Sequence, residues 1–257
     1  MEITAKTLPT FIIGNPISHS KSPVFQNAAF NHCNINSVYL AINIEKNDFE
    51  AVIAGLKKIN IFGMNITIPY KVDILKYVDE LSEDAKLIGA VNTIEVLNGN
   101  WVGHNTDWYG VYKTLELNKL SPSQDCLIIG AGGATNGVIY GLQQYGVKNI
   151  AITNRTKDKA ELIKDQFNID LIDFEEYKSK IKNYSLIINT TSIDFNKLVD
   201  SFLEDKTYFD LKYYSGKIDM PNYIDGKIML LYQGAKAFEI WTKQEAPIEI
   251  MQKAMEG

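Results

Sequence analysis

The sequence is poor in the features that mark several protein classes. It holds two cysteines, Cys33 and Cys126, which have no metal-type spacing and sit within apolar patterns. They read as two reduced, buried thiols, and a disulfide framework is excluded. The three histidines, His19, His32 and His104, form no metal set. No stretch gathers lysine and arginine into a basic block, and the net charge is −5 with pI ≈ 5.3. That balance argues against nucleic acid as a partner. Long hydrophobic runs are also missing: Cys126–Ile129 and Met229–Tyr232 fall far short of the ~18 apolar residues of a membrane span. The N-terminus lacks a basic segment followed by an apolar one. No membrane partner and a cytoplasmic location are therefore expected. There is no internal repeat or low-complexity tract. What remains is an ordinary globular composition, 257 residues with 46% hydrophobic and 22% charged, enough for one large domain or two modest ones.

The pattern along the chain predicts an α/β protein. Phe11–Gly14 reads as a strand, and Ser22-Pro23 reads as a helix N-cap with proline at the first helical position, opening a helix through Ala29. Tyr39–Ile44 alternates as a strand, Asp48–Ile59 has helical spacing, and Met64–Ile68 is a strand cut off by Pro69. Thr93–Leu97 and Asn100–Gly103 flank Asn98-Gly99, a pair suited to a type I′ hairpin because both central residues need positive φ. A helical stretch, Asp107–Leu117, and a polar linker, Ser121-Pro122-Ser123-Gln124, lead to a second start. There, Cys126–Ile129, a glycine-rich turn, a helix to Tyr145 and the strand Asn149–Thr153 form a βαβ unit. Leu186–Ile188, Tyr208–Leu211 and Ile228–Leu231 are expected as further strands of a doubly wound sheet, and Ala235–Trp241 and Pro247–Met255 as amphipathic helices.

A glycine-rich turn between a strand and a helix lets backbone N–H groups approach a pyrophosphate, which the helix N-terminus favours electrostatically. Gly130, Ala131, Gly132, Gly133 and Ala134 fit this turn, although Thr135 stands where the fingerprint has Gly or Ala. An NAD site places an acid at the end of the next strand, whereas this chain has Asn154-Arg155-Thr156 and then Lys159. Cations there suit a 2′-phosphate, so NADP(H) is the expected cofactor. Reduction of a carbonyl by hydride also needs a proton donor and a cation at the developing alkoxide. Lys71, at a strand end, and Asp107, opening a helix, are the candidates. Taken alone, a surface lysine and an N-terminal helix acid are equally ordinary readings.

Six ordered segments resemble the shikimate dehydrogenase family. Gly14-Asn15-Pro16-Ile17-Ser18-His19-Ser20-Lys21-Ser22-Pro23 is similar to its N-terminal signature, and Asn65-Ile66-Thr67-Ile68-Pro69-Tyr70-Lys71 to its catalytic-lysine segment. Gly89-Ala90-Val91-Asn92-Thr93, Gly103-His104-Asn105-Thr106-Asp107, Asn154-Arg155-Thr156, and Gln233-Gly234-Ala235 with Trp241 match four further segments. The resemblance implies an N-terminal α/β substrate domain, residues 1–106 with 233–257, plus a Rossmann-like doubly wound NADP-binding domain, residues 107–232. It implies Lys71 and Asp107 as catalytic residues, Asp107 holding Lys71 and a substrate hydroxyl in register. It also implies Ser20, Ser22, Thr67, Asn92, Tyr213 and Gln233 as ligands of a small-molecule substrate, shikimate or 3-dehydroshikimate. Gly130 to Ala134, Asn154, Arg155, Thr156, Lys159 and Thr191 would hold NADP(H). Ser22 can cap a helix and bind substrate at once only if its oxygen serves both, which makes Ser20 the safer ligand.

Two departures stand out. Asn189-Thr190-Thr191-Ser192-Ile193-Asp194 carries Asp194 where the family usually has glycine, so a carboxylate lies near the expected nicotinamide or points to solvent. After Asp210-Leu211-Lys212-Tyr213, residues 214–219 replace the usual Pro- and Thr-containing loop. Two rival readings are a quinate/shikimate dehydrogenase using NAD or NADP, and a non-catalytic nucleotide-binding sensor on the same fold. The missing acid after the second nucleotide-domain strand weighs against NAD, and retention of Lys71 with Asp107 weighs against the sensor. The sequence carries no signal of oligomeric state.

Overall fold

The computed structural model describes residues 2–201, 203–213 and 222–257. The chain divides into two compact units, Met1–Thr106 with Leu231–Gly257, and Asp107–Leu230.

The first unit is built on β1 (Leu8–Gly14), α1 (Ser22–His32), β2 (Ser37–Asn43), α2 (Phe49–Leu56), β3 (Gly63–Ile66), β4 (Glu80–Leu81), α3 (Glu83–Ile88), β5 (Thr93–Leu97) and β6 (Asn100–His104). Its sheet runs β2-β1-β3-β5-β6-β4. β1 pairs parallel with β2 and β3, so all three release their loops at one edge, while β5 is antiparallel to β3 and β6. Phe11, Ile13, Phe49, Ile53, Met64, Ile66, Tyr70 and Trp101 share one core, with Phe49 stacked on Tyr70 at 4.1 Å between ring centroids. The β5–β6 hairpin turns on Asn98 and Gly99, at φ 53 and 86, as the type I′ requirement anticipated. The sequence reading missed α3, although Ser82 caps it by accepting from the Ala85 N–H and Gly89 ends it in the left-handed region.

The second unit opens with α4 (Asp107–Leu117), β7 (Cys126–Ile129), α5 (Thr135–Tyr145), β8 (Ile150–Thr153), α6 (Lys157–Phe167) and β9 (Asp170–Leu171). It continues with α7 (Tyr177–Lys180), β10 (Leu186–Asn189), α8 (Phe195–Leu198), β11 (Thr207–Asp210) and β12 (Tyr223–Ile224). Every pairing in the sheet β12-β11-β10-β7-β8-β9 is parallel. β7, β8 and β10 are buried at every position, which is why they read as continuous apolar runs and not as alternation. The strand order reverses between β7 and β10, making the crevice at their carboxyl ends the topological switch point of the sheet. The helix α9 (Lys227–Thr242) then carries the chain back to the first unit, which α10 (Ile248–Glu256) completes.

One expected strand is corrected. Ile228–Leu231 lies in α9, and the edge strand is Tyr223–Ile224 instead. A four-residue apolar run cannot distinguish strand from helix by its period. Gly226 precedes the helix and its carbonyl accepts the first helical bond, from the Leu230 N–H at 2.9 Å, while Asp225 Oδ1 accepts from the Lys227 N–H at 3.0 Å in the turn that leads in.

Candidate active site

In the first unit, the loops leaving β1, β2 and β3 are tied into one platform. The Asn15 N–H donates to the Ile68 carbonyl at 2.9 Å, and the Thr67 N–H to that of Ile13 at 2.8 Å. Asn15 Nδ2, at 3.1 Å, and the Tyr70 hydroxyl, at 2.5 Å, both donate to the Ile44 carbonyl. The Asn15-Pro16 and Ile68-Pro69 peptides are both cis. Gly14 allows this approach, because a Cβ there would stand 2.4 Å from Thr67 Cγ2. Ser20, Ser22, Thr67 and Lys71 all sit on or beside these loops. The expected helix cap at Ser22 is corrected: Lys21 holds the cap position without a side-chain bond, and Ser22 is the first helical residue. Its hydroxyl hydrogen-bonds the Tyr39 phenol, which burial pushes well above its ordinary pKa. Ser20 Oγ accepts from the Ser22 N–H at 3.3 Å.

A buried relay missed by sequence reasoning orients Asn92. The Tyr39 hydroxyl donates to Asn65 Oδ1 at 2.6 Å, and Asn65 Nδ2 donates to Thr93 Oγ1 at 2.9 Å. Thr93 Oγ1 in turn donates to Asn92 Oδ1 at 2.9 Å, where the Thr106 N–H also arrives at 2.8 Å. With its oxygen saturated from this side, the Asn92 amide presents Nδ2 to Thr106 Oγ1 at 3.0 Å and to Gln233 Oε1 at 3.5 Å. The available signal was Asn65 itself, a polar residue within a fully buried strand. Gln233 lies on α9, which is fastened by Gln26 Nε2 to the Gly234 carbonyl at 2.8 Å and by Trp241 Nε1 to the Ile94 carbonyl at 2.9 Å. Lys71 is only 7% exposed, and its carbonyl accepts from the Val91 N–H. Asp107, 4% exposed, follows Thr106 by one peptide bond and begins α4.

In the second unit, the turn after β7 packs against the segment after β10. Gly130 adopts φ 120, and a Cβ there would lie 2.5 Å from Thr190 Oγ1. The unexpected Thr135 supports the turn: its Oγ1 accepts from the Gly132 N–H at 3.0 Å and lies 2.9 Å from Thr190 Oγ1. Gly132 and Gly133 have no such internal reason to be glycine. A Cβ on Gly133 would meet nothing within 4 Å, and one on Gly132 would meet only the Thr190 carbonyl at 3.9 Å. Space left open by glycines at the start of a helix, where the first amides have no intrahelical partner, fits a pyrophosphate.

Arg155 follows β8 and is exposed, and it is the one arginine among 26 basic residues. Arg155 itself lines a cavity of about 400 Å³ with Asn154, Lys157 and Lys180, the apolar Leu171, Ile172 and Phe174, and three acids, Asp173, Glu175 and Glu176. Asn154 Nδ2 holds the turn by donating to the Thr156 carbonyl at 2.8 Å. Lys159 lies in the first turn of α6 and is exposed.

After β10, Asn189 Oδ1 accepts from both the N–H and the hydroxyl of Thr191, at 2.9 and 2.8 Å. Asp194 is exposed, as the solvent-facing alternative expected, but its carboxylate is not bare. Its Oδ1 accepts from Lys212 Nζ at 2.6 Å, and this bond holds the carboxyl below its ordinary pKa. Tyr213 is half-buried at the end of this segment, and the altered 214–219 loop lies outside the described residues.

Among the described residues no helix is long and apolar enough to cross a membrane. Residues 12–94 match the family description "Shikimate dehydrogenase substrate binding domain", 115–205 "Shikimate / quinate 5-dehydrogenase", and 229–256 "Shikimate 5'-dehydrogenase C-terminal domain". The shikimate dehydrogenase (NADP+) of Dictyoglomus turgidum is 40% identical, covering 95% of both chains. A shikimate dehydrogenase solved in complex with NADP+ superposes with a TM-score of 0.89 at 36% identity, over 99% of this chain and 96% of the other. The Listeria monocytogenes shikimate 5-dehydrogenase, solved with shikimate and NAD, gives 0.88 at 30% identity over 98% of each chain. With relatives this similar over nearly its whole length, the chain belongs to the shikimate dehydrogenase family.

Proposed function

We propose that the chain is an NADP-dependent shikimate dehydrogenase, reversibly reducing 3-dehydroshikimate to shikimate in the route to chorismate and the aromatic amino acids. Its relatives carry that name, and the residues present fit both ligands. The first unit is read as the substrate-binding unit and the second as the NADP-binding unit. The observation that carries the reading is the locked Asn92 amide facing Gln233, on the unit whose three tied loops bear Ser20, Ser22, Thr67 and Lys71.

The chemistry supplied by bound NADPH is hydride donation to the C3 carbonyl of the substrate. Lys71, as an ammonium, stabilises the negative charge developing on the C3 oxygen and delivers the proton. Its burial, at 7% exposure, confines the side chain and reduces the entropy lost on reaching that geometry. The Ser20 and Ser22 hydroxyls donate to the substrate carboxylate, while Thr67, Asn92, Asp107, Tyr213 and Gln233 supply donors and acceptors for the ring hydroxyls. The turn from Gly130 to Ala134 takes the pyrophosphate on its remaining amides, since the Gly130 and Gly132 N–H groups hold the turn through Thr153 and Thr135, and Asn154, Arg155, Thr156 and Lys159 take the 2′-phosphate. That the chain's single arginine stands after β8 supports this assignment, because a guanidinium binds phosphate in bidentate fashion and an ammonium does not. Thr191 borders the nicotinamide half. A cytoplasmic location accords with two free cysteines, Cys33 and Cys126.

The test is turnover by the purified protein of shikimate or quinate with NADP+ or NAD+, followed by the absorbance of the reduced nicotinamide. Turnover of shikimate with NADP+ is expected, and its absence under conditions where the protein is folded overturns the reading.

A further inference from the structure

The second unit carries a set of buried and half-buried charges that the reaction described above does not use. In a doubly wound sheet a dinucleotide lies across the switch point, with one mononucleotide half on each side. Here the phosphate turn follows β7 and the lone arginine follows β8, which assigns the adenosine half to the β8 side. The nicotinamide half then falls to the carboxyl ends of β10 and β11, where Thr191–Asp194 and Leu211–Tyr213 emerge.

Four charges meet at those ends. Lys212 is only 7% exposed, and its Nζ lies 2.6 Å from Asp194 Oδ1 and 3.8 Å from Asp210 Oδ2. Asp210 is fully buried, and its Oδ1 accepts from the Lys212 N–H at 3.1 Å and from Asn189 Nδ2 at 3.3 Å. Asp194 is 54% exposed and also meets the exposed Lys197 at 3.8 Å. Two carboxylates, those of Asp194 and Asp210, face this deeply placed lysine. The consequences of removing it differ for the two acids. Burial pushes the Asp210 carboxyl up and Lys212 counters that shift, whereas Asp194 is exposed to water.

The oxidised nicotinamide ring carries a positive charge and the reduced ring none. A bare carboxylate in that half of the site therefore binds NADP+ in preference to NADPH. We propose that Lys212 is a specificity-determining residue which cancels the charge of Asp194 at the nicotinamide end and so balances the affinities for the two redox forms of the cofactor. Neutralising the acid with a lysine from the neighbouring strand end lets the chain carry a side chain at position 194 without holding oxidised cofactor too tightly after each reduction. The inference rests on the NADP reading.

The experiment is a fluorescence titration of the full chain with NADP+ and with NADPH, without substrate, in the parent, Lys212→Met, Lys212→Arg, Asp194→Asn and the Lys212→Met/Asp194→Asn double variant. For one unit charge ~4 Å from the ring in water-like surroundings, Lys212→Met shifts the ratio of the two dissociation constants toward NADP+ about fivefold. Asp194→Asn shifts it in the opposite direction, and Lys212→Arg and the double variant return it to the parent value. A purely structural role would weaken both forms alike, and that outcome, or an unchanged ratio in both single variants, overturns the proposal. Should Lys212→Met fail to fold, Lys212→Gln takes its place and is expected to give the same shift toward NADP+. A parent that binds neither form refutes the NADP reading and this inference with it, whereas a parent that binds both with an unmoved ratio in the variants refutes this inference only.

Discussion

Two alanine substitutions, three residues apart in the turn after β7, are expected to fail in opposite ways. Gly130→Ala should damage the fold. At φ 120 a residue with a Cβ is strained by about 1–3 kcal/mol, and the added carbon would sit 2.5 Å from Thr190 Oγ1 and 2.7 Å from Thr191 Cγ2. Such overpacking costs a further ~1–3 kcal/mol. At roughly 2–4 °C per kcal/mol for a chain of this size, Tm falls by about 4–24 °C. Gly133→Ala should leave the free protein intact, because its Cβ meets nothing within 4 Å and its φ is not positive. Its unfolded chain loses some freedom, so stability is unchanged or rises by up to ~1 kcal/mol. The damage appears only with cofactor. A methyl group against the pyrophosphate displaces it from charge-assisted hydrogen bonds of about 1.5–3 kcal/mol each, weakening NADP+ by roughly 10–100-fold. Thermal scans with and without NADP+ read both effects. At a concentration of ~100 times the dissociation constant, NADP+ stabilises the parent by about 2.7 kcal/mol, and about half or more of this gain vanishes in Gly133→Ala. Normal NADP+ binding by Gly133→Ala would refute the placement of the pyrophosphate, and a parent-like Tm for Gly130→Ala would refute the account of the turn.

Three further outcomes are expected. Lys71→Ala lowers kcat by about two to four powers of ten with a smaller change in KM, since it removes a transition-state contact; a near-normal kcat rejects the role. Arg155→Ala raises KM for NADP+ much more than for NAD+, and equal weakening of both would leave Arg155 a merely structural role. Asn65→Leu strands the Tyr39 phenol and one side of Thr93, at about 1–3 kcal/mol for each unsatisfied buried group. Tm should fall, and KM for shikimate should rise more than kcat declines because the Asn92 amide loses its orientation. An unchanged KM would show that the relay serves stability alone.

The sequence by itself determined the parts of this protein that depend on neighbours along the chain. The Asn98-Gly99 hairpin, the βαβ start at Cys126 and the glycine-rich turn follow from backbone preference and period, which act over a few residues. The family was legible for the same reason, since its signatures are short segments whose chemistry is concentrated in loops. Where local signals are degenerate, the reading failed: Ile228–Leu231 has no period long enough to choose between helix and strand, and it lies in α9. The serine before Pro23 looked like a cap but turned inward to Tyr39.

Tertiary structure alone decided what the polar side chains do to one another. Tyr39, Asn65 and Thr93 lie on three different strands, and only the sheet order β2-β1-β3-β5 and the size of a tyrosine bring them into one relay. Asp194 and Lys212 are 18 residues apart and follow separate strands, so the sequence could say that a carboxylate had replaced glycine but not that a lysine answers it. The parallel pairing of β10 with β11 sets Asn189 beside Asp210 and thus brings the two strand ends together. Charge pairing acts through space over a few ångströms, while sequence patterns report only what lies nearby along the chain.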